Sequence, residues 1–283
     1  MSPSTLHPAS ADEADVVWPA VNAAHLFDSH ARFQRFRSEA PWRVQVTGRG
    51  EAVVLEEWRS HLDVLAMRGL WCSGDRVPPL VEQVARVAAG QGYGRLLSPL
   101  VAVGVAPVYE RAGLSVHGSI IALRLDRSAW KPEEPHPAPG VRLRQVLADD
   151  LPALVRIDAE CFDEFWRYDP DRLARYLMED RLVVAEGPEG PIGYTLATIV
   201  RDSGTLGRLA VKPSARNLGT GEALLREALS FLVRTGVGMV SLCTQEENLA
   251  SRMLYRKVGL TELTGRVVFL MRQTGFAGKR SRE

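Results

Sequence analysis

A proline-rich segment at positions 131–139 constrains most strongly what this chain can fold into. It reads Lys-Pro-Glu-Glu-Pro-His-Pro-Ala-Pro and contains no large apolar side chain. Such a composition favours an extended, polyproline-like connection, and strand-like sequences flank it on both sides. We therefore predict a first domain at 1–130 (its first 15 or so residues disordered), a linker at 131–139, a second domain at 140–274 and a flexible tail at 275–283.

A weak internal repeat indicates that the two domains share one fold. The sequence Tyr-Glu-Arg-Ala-Gly-Leu at 109–114 parallels Tyr-Arg-Lys-Val-Gly-Leu at 255–260. After a slip of one residue, the β-branched runs that begin at Gly118 and Gly265 also correspond. In each copy a helix ends at a glycine, and a short turn leads into a strand. We therefore expect two domains of one fold in tandem.

Composition and charge argue against several classes of function. The 283 residues include 35 basic and 34 acidic side chains, and this balance is unlike that of a general nucleic-acid binder. No apolar run approaches the roughly 18 residues that span a membrane, and the acidic N-terminus does not resemble a secretory signal. We therefore expect a cytoplasmic protein without nucleic-acid or membrane partners.

The cysteines and histidines form no recognisable metal-binding pattern. Cys72, Cys161 and Cys243 are odd in number and far apart, and the six histidines make no HxH or HExxH array. We therefore predict free thiols and no metal site.

Apolar periodicity in the second domain predicts an α/β fold, in which a twisted mixed sheet is flanked by helices. Strands are expected at 141–146, 181–186, 192–200, 206–211, 239–244, 260–264 and 266–271, and helices at about 149–162, 170–179, 220–235 and 248–257. In the first domain, a helix at about 78–89 corresponds to the long helix at 220–235.

The loop between the strand at 206–211 and the long helix is the most informative stretch. It reads Arg-Asn-Leu-Gly-Thr-Gly at 216–221, and its two glycines allow tight turns in which successive N–H groups converge. The helix adds unpaired N–H groups and the positive end of its dipole, which favour a phosphate. The loop is neither a dinucleotide fingerprint nor a P-loop, and by itself it is also compatible with a plain turn.

A second motif follows the next predicted strand. It reads Asn-Leu-Ala-Ser-Arg-Met-Leu-Tyr-Arg-Lys-Val-Gly-Leu at 248–260. Together the two motifs resemble the GCN5-related N-acetyltransferase (GNAT) superfamily, whose hallmarks are Arg/Gln-x-x-Gly-x-Gly/Ala after the fourth strand and Asn-x-x-Ala/Ser-x-x-Leu-Tyr-x-x-x-Gly-Phe after the fifth. The matching residues are Arg216, Gly219, Gly221, Asn248, Ser251, Leu254, Tyr255 and Gly259, with Leu260 in place of Phe. The resemblance covers 140–272 well and 18–127 faintly, and it implies two tandem GNAT-like domains.

The resemblance also implies a site for acetyl-CoA. Pantetheine would run between the strands at 206–211 and 239–244, and the amides of 216–222 would hold the pyrophosphate. An amide at or near Val211 would stabilise the oxyanion, and Tyr255 would protonate the departing thiolate as the catalytic acid. The residues implied to bind the cosubstrate are Leu209, Ala210, Val211, Arg216, Asn217, Leu218, Gly219, Thr220, Gly221, Glu222, Asn248, Ser251 and Tyr255.

The general base is where the sequence departs from the family. Relatives often place a glutamate on the fourth or fifth strand, whereas the matching positions here lie near Thr205 and at Cys243. Asp202, Asp163 and Glu164 remain as candidates, although a solvated loop carboxylate is favoured over a base for each. Because an α-amine has a pKa of about 8 and a lysine amine about 10.4, a missing base favours an acceptor of low pKa, such as a peptide or protein N-terminus, an amino sugar or a small amine.

The segment at 161–166 joins the first two predicted helices, where relatives shape the acceptor pocket. Its aromatic residues Phe162, Phe165 and Trp166 are compatible with a pocket wall and with packing between helices. In the first domain, Pro78 and Pro79 occupy the start of the corresponding long helix, and the preceding loop lacks the Arg-x-x-Gly-x-Gly pattern. We predict that this degenerate domain stabilises its partner, walls the acceptor cleft or makes a dimer contact.

These observations predict an acetyl-CoA-dependent N-acetyltransferase that acts on a primary amine by direct attack in a ternary complex. The alternatives are transfer from another acyl-CoA and a regulatory protein that binds acyl-CoA without catalysis. A homodimer is left open.

Overall fold

The structure, a computed structural model, describes residues 4–59, 63–128 and 130–276. Contacts divide the chain into two compact units: Met1–Ser119 with Gly265–Glu283, and Ile120–Thr264. The predicted flexible tail lies outside the described residues from position 277 onward.

The helices and strands of the two halves of the chain follow one another in a similar order, which agrees with the internal repeat. The first half contains β1 (His7–Pro8), α1 (Ala11–Ala23), α2 (His30–Glu39), β2 (Val44–Val46), β3 (Ala52–Glu57), β4 (Val64–Trp71), α3 (Val77–Gly90), β5 (Arg95–Leu97), β6 (Val101–Ala102), α4 (Ala106–Glu110) and β7 (Ser115–Leu125). The second half contains β8 (Arg142–Gln145), α5 (Leu151–Cys161), α6 (Pro170–Glu179), β9 (Arg181–Gly187), β10 (Gly190–Val200), β11 (Ser203–Val211), α7 (Thr220–Arg234), β12 (Met239–Gln245), α8 (Leu249–Lys257), β13 (Leu260–Glu262) and β14 (Val267–Gln273).

Each unit contains a mixed sheet. In the first unit the strand order is β1-β2-β3-β4-β5-β14, and β6 pairs with β14. In the second unit it is β7-β12-β11-β10-β9-β8, and β13 pairs with β7. The parallel pairs described are β4 with β5 and β11 with β12. The predicted α/β class, with helices flanking mixed sheets, is confirmed.

The boundaries of the units differ from those predicted around the proline-rich segment. Residues 120–125 of β7 belong to the second unit, where they pair with β12, and β14 belongs to the first unit, where it pairs with β5. The proline-rich segment itself lies inside the second unit. The unit to which a strand belongs depends on its hydrogen-bonded neighbours, which are distant in sequence. Domain boundaries inferred from position along the chain therefore differ from those of the structure.

The N-terminal residues predicted to be disordered are folded from Ser4 onward. His7 and Pro8 pair with β2, and α1 begins at Ala11 behind a capping box formed by Ser10 and Glu13. This cap satisfies N–H groups at the start of the helix, which explains why the polar sequence is helical. The prediction of disorder was wrong for this stretch.

Helices cover both faces of the sheet in the second unit. Helix α7 buries Leu225, Leu229 and Leu232 in a cluster with residues of β7, β11 and β12. Helices α5 and α6 bury Leu154, Ile157 and Leu173 against β9 and β10 on the other side. The spacing of these apolar side chains is the 3.6-residue period that predicted the helices.

Candidate active site

A gap opens between β11 and β12 because the two strands pair over only part of their length. Their parallel ladder ends at Leu206 and Leu242, whereas β11 continues to Val211 and β12 to Gln245. A register shift against β10 leaves Gly207 as an extra residue at the point of separation. Such a bulge bends the strand and increases its twist, so β11 turns away from β12 beyond this residue.

Backbone groups of β11 line one edge of the gap. The Lys212 N–H donates to the Ile192 carbonyl at 2.9 Å, which fixes the alternation of the ladder with β10. Because successive residues point to opposite edges, the N–H and C=O groups of Leu209 and Val211 face the gap. Those of Ala210 face Tyr194 instead. The backbone groups of Leu209 and Val211 therefore face the gap, whereas those of Ala210 bond within the sheet.

The Val211 carbonyl already has two donors. Arg216 Nε lies 3.1 Å from this oxygen, and the Cys161 thiol lies 3.2 Å from it. Burial raises the pKa of Cys161, while the nearby Arg216 acts in the opposite direction. Arg216 is exposed, so its guanidinium can exchange this carbonyl for an anionic ligand at the mouth of the gap.

The loop before α7 turns twice through the left-handed region. Asn217 has φ = 62° and Gly219 has φ = 84°, and Gly219 is the N-cap of α7. No side chain caps the helix, and Ala223 makes the N–H bond to the Gly219 carbonyl at 3.0 Å. The N–H groups of Thr220, Gly221 and Glu222 are thus without intrahelical acceptors. This arrangement suits an anion with several acceptor oxygens.

Thr220 supports this assignment independently of the loop shape. Its side chain is 1% exposed, yet its hydroxyl oxygen has no hydrogen-bond partner among the described residues. A buried polar group without a partner is costly and calls for a ligand or water. The residues at the start of α7 therefore fit the phosphate-bearing cosubstrate implied by the sequence motifs.

Gly221 and Glu222 complete the first turn of α7. A Cβ on Gly221 would lie 3.6 Å from Leu254 and 3.7 Å from Val211, so this residue sits where α7, α8 and β11 meet. The Glu222 carboxylate lies 2.6 Å from Lys257 and 3.0 Å from Arg226, and these cations lower its pKa. The two ion pairs offset the charge that would otherwise repel an anion bound at the neighbouring amides.

Helix α8 presents the second predicted motif. Asn248 caps the helix by accepting from the Ser251 N–H at 3.2 Å, which leaves its amide NH₂ group for a ligand. Tyr255 is 7% exposed, and burial raises its pKa to about 12, while a hydrogen bond with Ser251 acts in the opposite direction. The phenol therefore stays protonated at neutral pH and is able to donate a hydrogen bond.

Two of the three carboxylates considered as general bases, Asp202 and Asp163, make structural hydrogen bonds. Asp202 accepts from the Gly238 N–H at 2.5 Å and sits before β11, at the opposite end of that strand from the gap. Asp163 caps a single turn of helix by accepting from Trp166 N–H at 3.2 Å. Thr205 lies within the paired part of β11, and Cys243 on β12 is exposed. The sequences of β11 and β12 contain no aspartate or glutamate.

Sequence reasoning missed a buried ion pair beneath the segment at 162–168. Arg208 of β11 makes two hydrogen bonds to Asp158 of α5, at 2.7 and 2.9 Å. The Tyr194 hydroxyl donates to the same carboxylate at 2.5 Å. The guanidinium lies between the rings of Phe162 and Tyr168, 3.7 and 3.9 Å from their centroids.

The Phe162 ring packs on Arg208 of this cluster. The sequence did contain a signal for this ion pair. Asp158 and Arg208 each occupy a core-facing position on the apolar face of a helix or strand, and charged residues are seldom buried there unless they are paired. In the described parts of the chain, no group of three or more His, Cys, Asp and Glu side chains is arranged to hold a metal. None of the helices described has both the length and the apolar character needed to cross a bilayer.

Comparisons with known proteins agree with this architecture. The model of the acetyltransferase (GNAT) family matches residues 151–260. A mycothiol acetyltransferase of Actinosynnema mirum is 26% identical over 283 residues, covering 89% of each chain. A GCN5-related N-acetyltransferase structure from Sphaerobacter thermophilus superposes with a TM-score of 0.69 at 16% identity, covering 95% of each chain. A tandem GNAT protein of the clavulanic acid biosynthesis pathway gives 0.64 at 16% identity and 82% of each chain, and these two structures establish likeness of fold.

Proposed function

Because the chain belongs to the GNAT superfamily of acetyltransferases, we propose that its second unit transfers the acetyl group of acetyl-CoA to a primary amine. The observation that carries this proposal is the meeting of three features in one unit. They are a gap edged by the part of β11 that does not pair with β12, a helix start with uncapped amides, and a buried protonated tyrosine.

The phosphates of the cosubstrate would bind at the start of α7. The amides of 217–222 and the orphaned Thr220 hydroxyl supply donors, and Arg216 adds a charge-assisted contact once it leaves the Val211 carbonyl. The pantetheine arm would extend along the free edge of β11, with Leu209 and Val211 as backbone partners. Asn248 would contribute its side-chain amide from the start of α8.

The thioester supplies an activated acyl group, and the chain's residues stabilise the charges that develop when an amine attacks it. An N–H on the gap edge of β11 would donate to the oxygen that becomes negative. Tyr255 would donate its phenolic proton toward the departing sulfur. Its raised pKa keeps that proton available, and the apolar surroundings that raise it also favour a neutral thiol over a thiolate.

The acceptor would be an amine that needs little help to lose its proton. At neutral pH an α-amine of pKa about 8 is partly neutral, whereas deprotonating a lysine amine of pKa about 10.4 costs about 3 to 4 kcal/mol of free energy. No carboxylate of β11 or β12 faces the gap, which favours the first kind. A relative of similar length carries the name mycothiol acetyltransferase, so the free-amine form of mycothiol is the first acceptor to test.

Two measurements test the proposal. Calorimetry should detect binding of acetyl-CoA, and thiol release should rise on adding an acceptor amine. A panel of a dipeptide, glucosamine, free-amine mycothiol and Nα-acetyl-lysine separates α-amines and amino sugars from a lysine side chain. Turnover confined to Nα-acetyl-lysine would contradict the proposed class of acceptor. Faster thiol release from a longer acyl-CoA than from acetyl-CoA would show that the longer acyl-CoA is the donor. Binding without turnover on any amine would contradict catalysis.

A further inference from the structure

The proline-rich segment forms a strap along α7 within the second unit. We use "the strap" for residues 127–128 and 130–139. Near its start, Arg127 donates a hydrogen bond to the Val237 carbonyl, just after α7 ends. Further on, Glu133 lies 2.9 Å from Arg226, in the middle of the helix. Near its far end, the His136 carbonyl oxygen is 3.7 Å from the position a Cβ would take on Gly219.

The order of these three contacts shows that the described residues of the strap run antiparallel to α7. An extended polyproline segment rises about 3.1 Å per residue, so the three steps from Glu133 to His136 cover about 9 Å. The helix rises about 1.5 Å per residue, so the seven steps from Arg226 back to Gly219 cover about 10 Å. The agreement is what an extended chain beside the first half of the helix requires, and a proline-rich sequence favours that conformation.

The strap is fixed at two points between its ends. Trp130 packs against the apolar cluster that α7 forms with β7 and β12. Arg226 is 14% exposed and bridges Glu133 of the strap to Glu222 at the first turn of α7. The prolines also limit the conformations that the free segment would sample, so docking costs less entropy than it would for a flexible linker.

The far end of the strap lies beside the N-cap of α7. Gly219 begins the turn that presents the uncapped amides, and the unpartnered Thr220 hydroxyl follows it directly. We propose that residues 135–137 form one wall of the site for the phosphate-bearing end of coenzyme A, so that the docked strap strengthens its binding. This inference rests on the proposed function. A wall at this point excludes water, and hydrogen bonds from amides to a phosphate are stronger where the local dielectric constant is lower.

Hydrogen exchange tests whether the ligand and the strap meet. The amides of Glu134, His136 and Ala138 should exchange more slowly when the full-length protein is saturated with coenzyme A. Pantetheine carries no phosphate and should leave their exchange unchanged while it protects β11. Equal exchange with and without bound coenzyme A would overturn the inference.

A matched pair of variants tests whether docking contributes to affinity. Glu133→Ala removes the carboxylate that pairs with Arg226. Glu134→Ala removes a carboxylate from the next residue, whose side chain is exposed and has no described ion pair. Both variants therefore remove one negative charge, and any general electrostatic effect of that removal on an anionic ligand is the same in each. The dissociation constant of coenzyme A, measured by calorimetry, should be about two- to fivefold higher for Glu133→Ala than for Glu134→Ala.

The outcomes separate the two proposals. If the unaltered protein does not bind coenzyme A, the proposed function fails and this inference fails with it. If coenzyme A binds with equal affinity to both variants and the strap amides exchange as before, the strap is only a structural connection. The proposed function would then stand without it.

Discussion

The gap between two parallel strands occurs in both units, which makes their differences informative. In the first unit β4 and β5 pair as far as Ala66 and Leu97, and β4 then continues to Trp71. A register shift against β3 leaves Arg68 as the extra residue, as Gly207 is on β11. The strand geometry of the fold is therefore kept in both units and does not by itself make a binding site.

The two units differ at the first turn of the helix that follows the gap. Helix α3 begins Val77-Pro78-Pro79, and α7 begins Thr220-Gly221-Glu222. Proline has no N–H, so two of the three amides that α7 offers are missing from α3. The arginine just before α3, Arg76, is held by Glu51 at 2.6 Å.

The tyrosines of the two units share burial but differ in their neighbours. Tyr109 and Tyr255 are both buried, and burial raises the pKa of each to about 12. At the repeat offset, Val105 takes the place of Ser251 and Ala102 that of Asn248. Apolar packing therefore retains a tyrosine even where the polar groups of a site are gone, and a buried tyrosine alone does not indicate catalysis.

The largest effect is expected from changing which strands belong to a unit. A fragment of residues 120–264 contains every strand of the second unit, whereas 140–274 lacks residues 120–125 and carries β14 without β5. Loss of the buried side chains Ile121, Leu123 and Leu125 should cost about 5 to 9 kcal/mol, comparable to the stability of a domain. Urea unfolding followed by circular dichroism should be cooperative for 120–264 and absent for 140–274. Cooperative unfolding of both would show that β7 is dispensable.

Grafting the first turn of α3 onto α7 tests the difference between the helices. Gly221→Pro with Glu222→Pro removes two amides but is tolerated by a helix start. Coenzyme A affinity should fall at least about 100-fold, because hydrogen bonds to charged groups are each worth about 1.5 to 3 kcal/mol. The control, Gly221→Ala with Glu222→Ala, keeps both amides and loses the carboxylate and its ion pairs. A similar loss of affinity in this control would assign the effect to those changes instead.

The tyrosine pair tests whether equal burial means equal function. Tyr255→Phe should lower kcat about 100-fold, in the range of general acid catalysis, while the dissociation constant of acetyl-CoA changes less than twofold. Tyr109→Phe should leave kcat unchanged. Steady-state thiol release with the best acceptor of the panel measures both. An equal fall in both variants would indicate a structural contribution of each phenol.

The sequence predicted the elements of the second unit and the start of α7 because both depend on local patterns. Leucines at helical spacing indicated α7, and Pro170 indicated the start of α6. The loop at 216–221 was recognised from its glycines, whose backbone preferences are properties of single residues. The uncapped amides and the capping role of Asn248 follow from the same local rules.

Features that depend on distant partners were beyond reach of the sequence. The exchange of β7 and β14 between the halves of the chain depends on pairing with strands more than 100 residues away. The Asp158–Arg208 ion pair joins a helix to a strand, and the sequence around either residue does not indicate which residue it pairs with. The proline-rich segment was predicted as a linker because its composition shows that it is extended but not what it lies against.

The smallest effect is expected from alkaline pH, and it should differ between the units. Burial raises the pKa of Tyr109 in the first unit, and of Tyr255 and Tyr194 in the second. Below pH 10 each phenol is protonated in both folded and unfolded chains, so the stabilisation is fully present there. Between pH 10 and 12 the unfolded chain loses protons that the native state retains, and stability falls.

Tyr109 and Tyr255 should each account for about 2 kcal/mol of that loss at pH 11.5, which lies 1.5 units above the ordinary pKa, because one pKa unit corresponds to about 1.4 kcal/mol. Urea unfolding at pH 9 and pH 11.5 measures it, and Tyr109→Phe or Tyr255→Phe should each reduce the difference between the two pH values. Because Tyr194 also donates to Asp158 at 2.5 Å, the second unit should remain the more sensitive to alkali after Tyr255→Phe. A pH-independent free energy of unfolding would mean that the buried phenols ionise as readily in the native state as in the unfolded chain.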